Sequence, residues 1–128
     1  MTHTYPIRVY YEDTDLAGLV YYANYLKFIE RARSEMVREM GIDQVQMKTD
    51  GFVFAVRRVE ADYIAPAHYD DKLVVETRME QPSGARVIFQ QDVKRGDVTL
   101  FSALVTVVCL TTSGAVARLP AAIRHSVH

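Results

Sequence analysis

Cysteine is nearly missing from this chain. The single one, Cys109, has no internal partner for a disulfide. It stands in an apolar run with no cationic neighbour, which suits a small core hydrophobe better than a reactive thiolate. No segment approaches the roughly 20 consecutive apolar residues that cross a bilayer. Residues 1–15 hold no apolar stretch of signal-peptide length, so the expected compartment is the cytoplasm. Excess charge is missing as well. Fifteen Lys and Arg against sixteen Asp and Glu leave a formal net charge of -1, and no overall basic field exists to gather nucleic acid or an anionic membrane.

Familiar catalytic signatures are also absent. There is no G-x-S-x-G elbow, no phosphate-binding G-x-x-x-x-G-K, no G-x-G-x-x-G and no H-E-x-x-H, which removes triad and nucleotide chemistry of the usual kinds. The histidines His3, His68, His125 and His128 are scattered, and none has a Cys or His at zinc-ligand spacing. No metal is expected, and the histidines read as solvent-exposed.

What remains is an ordinary globular composition, 49% hydrophobic and 24% charged over 128 residues. That length suits a single domain over 1–128, since two would leave each with a thin core. Residues 7–11 are rich in β-formers and precede the turn-like Glu12-Asp13-Thr14-Asp15, which predicts a first strand. Tyr25, Phe28, Ile29, Ala32, Met36 and Met40 then recur at helical spacing, with charged residues between them. This predicts an amphipathic helix over 23–40, stopped by Gly41, with Arg31 and Glu35 pairing on its wet face.

From Phe52 the period changes to two. Four strand-like segments follow, separated by turn signals at 66–71, 82–84 and 95–97. Leu73, Val75, Thr77 and Met79 alternate with Lys72, Glu76, Arg78 and Glu80, as a sheet with one covered face requires. Residues 98–110 are apolar at both parities, which predicts a central strand buried on both sides, and the tail from Leu119 reads as a short irregular end. One long helix followed by a meander gives an α+β class: an antiparallel sheet of about five strands wrapped on the helix.

Chemistry has one obvious place to sit. The stretch Tyr10-Tyr11-Glu12-Asp13-Thr14-Asp15-Leu16-Ala17-Gly18-Leu19-Val20-Tyr21-Tyr22 puts three carboxylates and a glycine in a loop that leads into the helix. A helix N-terminus presents unpaired N–H groups and a positive dipole end, which stabilise an oxyanion formed in front of them. A carboxylate nearby could act on the same carbonyl. Taken alone, Asp13, Thr14 and Asp15 are equally what a turn or a cap contains.

The run E-D-T-D-x-x-G-x-V-Y-x-A-N-Y and the following F-I-E-R-A-R-S-E-M resemble the 4-hydroxybenzoyl-CoA thioesterase family, in its YbgC-like, Tol-Pal-associated branch. D-Y-I-A-P-A-H-Y-D-D and Val107-Val108-Cys109 are similar to that branch too, so the likeness spans nearly the whole chain. The resemblance implies a hotdog fold, dimers and often tetramers with sites between subunits, and hydrolysis of an acyl-CoA thioester with no cofactor, CoA being part of the substrate. It implies that Asp15 is the catalytic carboxylate, acting as nucleophile or general base. The backbone N–H of Tyr22 would polarise the thioester carbonyl, and Gly18 would let the loop approach closely. Many YbgC-like sequences carry histidine at the position of Tyr22, a change that leaves a backbone role intact. Asp13 reads as structural.

Tyr63 is a candidate for lining an acyl pocket, although tyrosine on a strand is also ordinary packing. Arg86, beside the Ser83-Gly84 turn, is a candidate for the CoA phosphates, in competition with Arg57, Arg58, Lys94 and Arg95. An acyl carrier protein is a further possible donor of the acyl group, which could be short-chain or aromatic. Two other readings compete. A dehydratase or hydratase would want a histidine in the loop, and there is none. A noncatalytic acyl-thioester-binding or scaffolding protein would have no need of the whole acidic loop.

Overall fold

The computed structural model describes residues 1–126, so His128 lies outside the described residues. The elements run β1 (His3–Arg8), α1 (Asn24–Glu39), α2 (Gln44–Thr49), β2 (Phe52–Tyr63), β3 (Lys72–Ser83), β4 (Arg86–Arg95), β5 (Val98–Thr111) and α3 (Ala121–Arg124). The five strands form one antiparallel sheet in the order β1-β3-β4-β5-β2. Helix α1 packs on one face of it, against β1, β3 and β4, in the hotdog arrangement.

The alternation in sequence becomes the inside and outside of the sheet. Leu73, Val75, Thr77 and Met79 of β3, Val87, Phe89, Gln91 and Val93 of β4, and Phe101, Ala103, Val105, Val107 and Cys109 of β5 are buried. They meet Tyr25, Phe28, Ile29, Ala32, Met36 and Val37 of α1. Burying a side chain such as Phe28 or Ile29 contributes about 1.5–3 kcal/mol. Cys109 belongs to this core, where burial pushes its thiol pKa up. Gly41 ends α1 with φ +88, in the left-handed region.

Several expectations need correction. The first strand lies earlier than 7–11, because Tyr10 N–H donates to Asp13 Oδ2 at 2.8 Å and Tyr11–Asp13 close a 3₁₀ turn. This local bond takes the chain out of the sheet despite its β-forming residues. Arg31 and Glu35 do not pair; Glu35 Oε1 accepts instead from Arg38 at 3.1 Å. Met40 is only half-buried, and Val37 completes the stripe.

Helix α2 was not foreseen. Its mark is Asp43, which caps it by accepting from Val45 and Gln46 N–H at 2.9 and 3.2 Å. The end of the chain is not merely irregular, since Leu119 and Ile123 are core residues and α3 carries the second of them. β5 has a strand on each side, but within one chain only one of its faces is buried, and Leu104 and Val108 on the other are half-exposed.

Candidate active site

Between β1 and α1 the chain folds back on itself through backbone bonds. Asp15 N–H donates to Leu19 O at 2.8 Å, and Gly18 N–H to Asp15 O at 3.0 Å. Gly18 sits at φ +79, which is why a residue without Cβ belongs there; a Cβ would meet nothing within 4 Å, so the visible need is conformational rather than one of space. Val20 N–H then donates to Ala67 O at 2.9 Å and Tyr21 N–H to Asp13 O at 2.9 Å. Asn24 Nδ2 donates to the same Asp13 O at 2.9 Å, which ties the start of α1 to the acidic loop.

The two aspartates have different surroundings. Asp13 closes its own turn through Tyr10 N–H. Asp15 Oδ1 accepts from Ala17 N–H at 2.9 Å and Leu19 N–H at 3.3 Å, while Oδ2 makes no hydrogen bond among the described residues. The side chain is exposed and lines a cavity of ≈ 430 Å³ with Tyr22, Tyr25, Tyr63 and Pro66.

The floor of this cavity is aromatic. Tyr25 stacks on Phe101 with ring centroids 5.0 Å apart, and Tyr63 meets Phe101 edge-on at 5.0 Å. The Tyr63 hydroxyl donates to Tyr22 O at 2.9 Å. Burial, with Tyr22 and Tyr25 adding to it, raises the Tyr63 pKa, so the phenol stays a neutral donor. Tyr22 precedes the N-cap Ala23, which supplies no side-chain cap, and Tyr22 N–H makes no hydrogen bond among the described residues. A bonded carbonyl on one side of the residue and an unpartnered N–H on the other are what an oxyanion donor needs.

The opposite wall, residues 64–71, is held by contacts that pattern-reading missed. Tyr25 Oη accepts from Ala67 N–H at 3.0 Å, and burial raises its pKa. Arg95 donates to Asp71 Oδ2 at 2.8 Å and to Pro66 O at 3.3 Å, while His68 N–H donates to the same carboxylate oxygen at 2.8 Å. Burial acts to raise the Asp71 pKa, but the His68 N–H and the Arg95 bond and charge outweigh it and hold the carboxyl below its ordinary value.

Asp15, Tyr22 and Tyr63 thus share one cavity, with Gly18 in the loop beside it. Arg86 does not join them. It begins β4 and lines a separate cavity with Arg57, Arg58 and Glu60. Its competitors are mostly engaged, Arg58 with Glu60, Lys94 with Glu76 and Arg95 with Asp71, whereas Arg57 and Arg86 have no ion pair among the described residues. Leu16, Tyr21 and Ile64 stand exposed around the Asp15 cavity, an apolar rim of the kind that marks a covered surface. Among the described residues no three His, Cys, Asp or Glu side chains cluster as metal ligands would, and no helix is long and apolar enough to cross a membrane.

Known proteins agree with this frame. The acyl-CoA thioesterase YbgC of Haemophilus influenzae is 41% identical over 108 residues, 84% of this chain and 79% of that protein. Among solved structures, a probable thioesterase from Bartonella henselae superposes with a TM-score of 0.89 at 35% identity, covering 94% of this chain and all of the other. A 1,4-dihydroxy-2-naphthoyl-CoA thioesterase from Synechocystis gives 0.88 at 26% identity, covering 95% of this chain and 92% of that one. The thioesterase superfamily model matches residues 17–102, beginning two residues after Asp15 and taking in α1 and the strands that carry Tyr63 and Phe101. With its fold, its loop and more than half its length accounted for in this way, the chain belongs to the thioesterase superfamily.

Proposed function

We propose that this protein is an acyl-CoA thioesterase that hydrolyses short-chain or aromatic acyl-CoA to the free acid and CoA. The observation that carries the reading is the pairing, around one aromatic cavity, of a carboxylate with an open oxygen and a backbone N–H with no partner. The 41% identity to a YbgC thioesterase supports it. The thioester carbonyl sits before the Tyr22 N–H, which stabilises the oxyanion as the carbonyl carbon becomes tetrahedral. Asp15 Oδ2 either attacks that carbon, giving a mixed anhydride that water then cleaves, or takes the proton of an attacking water. In both routes the C–S bond breaks and the thiolate leaves. Tyr63 lines the acyl side of the cavity and, through its bond to Tyr22 O, holds the Tyr22–Ala23 peptide, the one that follows the oxyanion donor.

The working compartment is the cytoplasm, where acyl-CoA is made. The functional unit is a homodimer or homotetramer. β2 is a twelve-residue strand at the sheet edge, with Val56 51% and Val59 40% exposed, and an edge of that length is a template for a second strand. Arg86 and Arg57, the cations without ion pairs, are the proposed contacts for the CoA phosphates.

Steady-state thiol release from a panel of acyl-CoA esters, together with one acyl carrier protein thioester, tests the reading. Turnover on part of the panel, lost in Asp15→Asn, supports it. Tight acyl-CoA binding with no thiol release from any ester would favour a noncatalytic binder.

A further inference from the structure

Two side chains that are neither apolar nor aromatic lie fully buried between α1 and the sheet, Thr77 on β3 and Gln91 on β4. Gln91 Nε2 donates to Ile29 O at 2.9 Å and to Thr77 Oγ1 at 3.0 Å, while its Oε1 accepts from Arg33 Nη1 at 2.9 Å. All three partners fit one orientation of the amide, because a guanidinium only donates and a carbonyl only accepts. Ile29 O is interior to α1, where a carbonyl that serves the helix still has a second lone pair.

A buried amide and hydroxyl cost free energy unless they are bonded, and apolar residues of the same shape would hold the two layers together as well. What the network adds is direction. The rest of the surface that α1 buries, from Phe28, Ala32, Met36 and Val37, is apolar. Such burial is non-directional and does not by itself fix where along the sheet a helix settles. Gln91 takes an acceptor from Ile29 and a donor from Arg33, about one helical turn apart on α1, and Thr77 holds it from β3. A shift of α1 by one residue, about 1.5 Å, would carry both groups off the amide.

The proposed oxyanion donor depends on that position. Asn24 N–H donates to Tyr21 O at 2.8 Å, so Tyr22 travels with the start of α1, and Ile29 lies less than two turns past Asn24. Tyr63, across the same cavity, belongs to the sheet. We propose that Gln91 is a positioning residue for thioester hydrolysis: by fixing α1 along the sheet it sets the Tyr22 N–H against the substrate carbonyl, although Gln91 itself lines no part of the Asp15 cavity. The effect on turnover rests on the thioesterase reading, whereas the placement of α1 does not. A displacement of about 1 Å at a reacting group can cost about 10²-fold in rate, which sets the scale of the effect.

Three variants test this. Gln91→Met with Thr77→Val replaces the network by apolar groups of similar size, Arg33→Met removes its other end on α1, and Arg33→Lys keeps a donor for Gln91 Oε1. On an acyl-CoA that the wild type hydrolyses, kcat per folded molecule should fall about tenfold or more in the double variant and about threefold or more in Arg33→Met, with KM within about twofold. Arg33→Lys should stay close to wild type. A network that only stabilises the fold would lower the folded fraction and leave kcat per folded molecule unchanged, and that result overturns the proposal. Arg33→Lys as impaired as Arg33→Met overturns it as well.

NMR relaxation dispersion at the Tyr22, Asn24 and Ile29 amides reads the placement of α1 without substrate. Helix register shifts fall in the μs–ms window that it detects, so exchange should appear in the double variant and in Arg33→Met and be absent from wild type and Arg33→Lys. Flat profiles with unmoved Tyr22 amide shifts in the folded variants overturn the proposal. The double variant and Arg33→Met change different elements, so failure of one to fold leaves the other decisive. If the wild type releases no thiol from any ester while the dispersion follows the network, the thioesterase reading falls and the placement of α1 by Gln91 stands.

Discussion

Changing Asp15 to Asn removes one charge and little else. Its Oδ1 accepts from Ala17 and Leu19 N–H at 2.9 and 3.3 Å, and an amide oxygen can accept both. The loop is also closed by bonds that no side chain enters, Asp15 N–H to Leu19 O and Gly18 N–H to Asp15 O, so folding should change by less than about 1 kcal/mol. Turnover should fall by roughly 10²–10⁴-fold, the usual cost of losing a positioned carboxylate. Asp13→Asn is the matched control. Asp13 Oδ2 accepts from Tyr10 N–H at 2.8 Å, a bond an amide oxygen can also accept, so Asp13→Asn should change the 3₁₀ turn modestly and catalysis little. The assay is kcat/KM for thiol release, with each variant corrected for folded fraction by circular dichroism. If folded Asp15→Asn stays within tenfold of wild type, or if Asp13→Asn is equally impaired per folded molecule, Asp15 is a turn residue and the mechanism loses its central group.

Four further outcomes follow from the same geometry. Tyr63→Phe deletes the bond to Tyr22 O, and at about 0.5–1.5 kcal/mol for such a bond kcat should drop about 2–12-fold with little change in KM; an unchanged kcat would show that Tyr63 does not position Tyr22 for catalysis. Arg86→Ala should raise KM for an acyl-CoA about threefold or more while leaving the acyl-pantetheine, which lacks the nucleotide phosphates, unaffected; equal effects on both esters would remove Arg86 from the phosphate site. Because the Asp71 carboxyl is held below its ordinary value in the folded chain, its contribution is present above the unfolded pKa of about 3.9 and is lost as pH falls through the folded value. Asp71→Asn should therefore cost about 1 kcal/mol at pH 7 and progressively less below pH ~4 in urea melts, and a deficit that did not shrink in acid would contradict this. Sedimentation at micromolar concentration should give a dimer or tetramer, and a fully active monomer would refute pairing along β2.

Much of the fold could be read from the period of the apolar residues. Leu73 to Met79 alternates because one side of β3 meets α1, and the helical stripe from Tyr25 to Met36 is the surface it meets. The misreadings share a cause. Residues 9–11 have the composition of a strand, but one carboxylate three residues on takes the Tyr10 N–H and forms a turn. The apolar outer positions of β5, Leu104 and Val108, suggested burial on both faces, yet one chain supplies only one helical layer. In the dimer or tetramer proposed above, those outer positions of β5 would find their cover outside a single subunit.

The site was legible to a different depth. Asp15 and Tyr22 stand seven residues apart in one loop, so local sequence carries their relationship. The groups that shape the wall opposite them come from far along the chain: Tyr25 supports Ala67, and Arg95 holds Asp71. No spacing rule links residues on α1, the β2–β3 loop and β4 until the strand order is known.

Local bonds around it leave the Tyr22 N–H without a partner among the described residues. Asp13 O is already shared by Tyr21 N–H and Asn24 Nδ2, Tyr21 O is taken by Asn24 N–H, and the Tyr63 hydroxyl holds Tyr22 O. Tyr22 itself lines the cavity. Replacing Asn24 with Ala should thus loosen Asp13 O and lower kcat without touching substrate. A variant of this kind that kept full kcat would mean that the peptide is set by α1 alone.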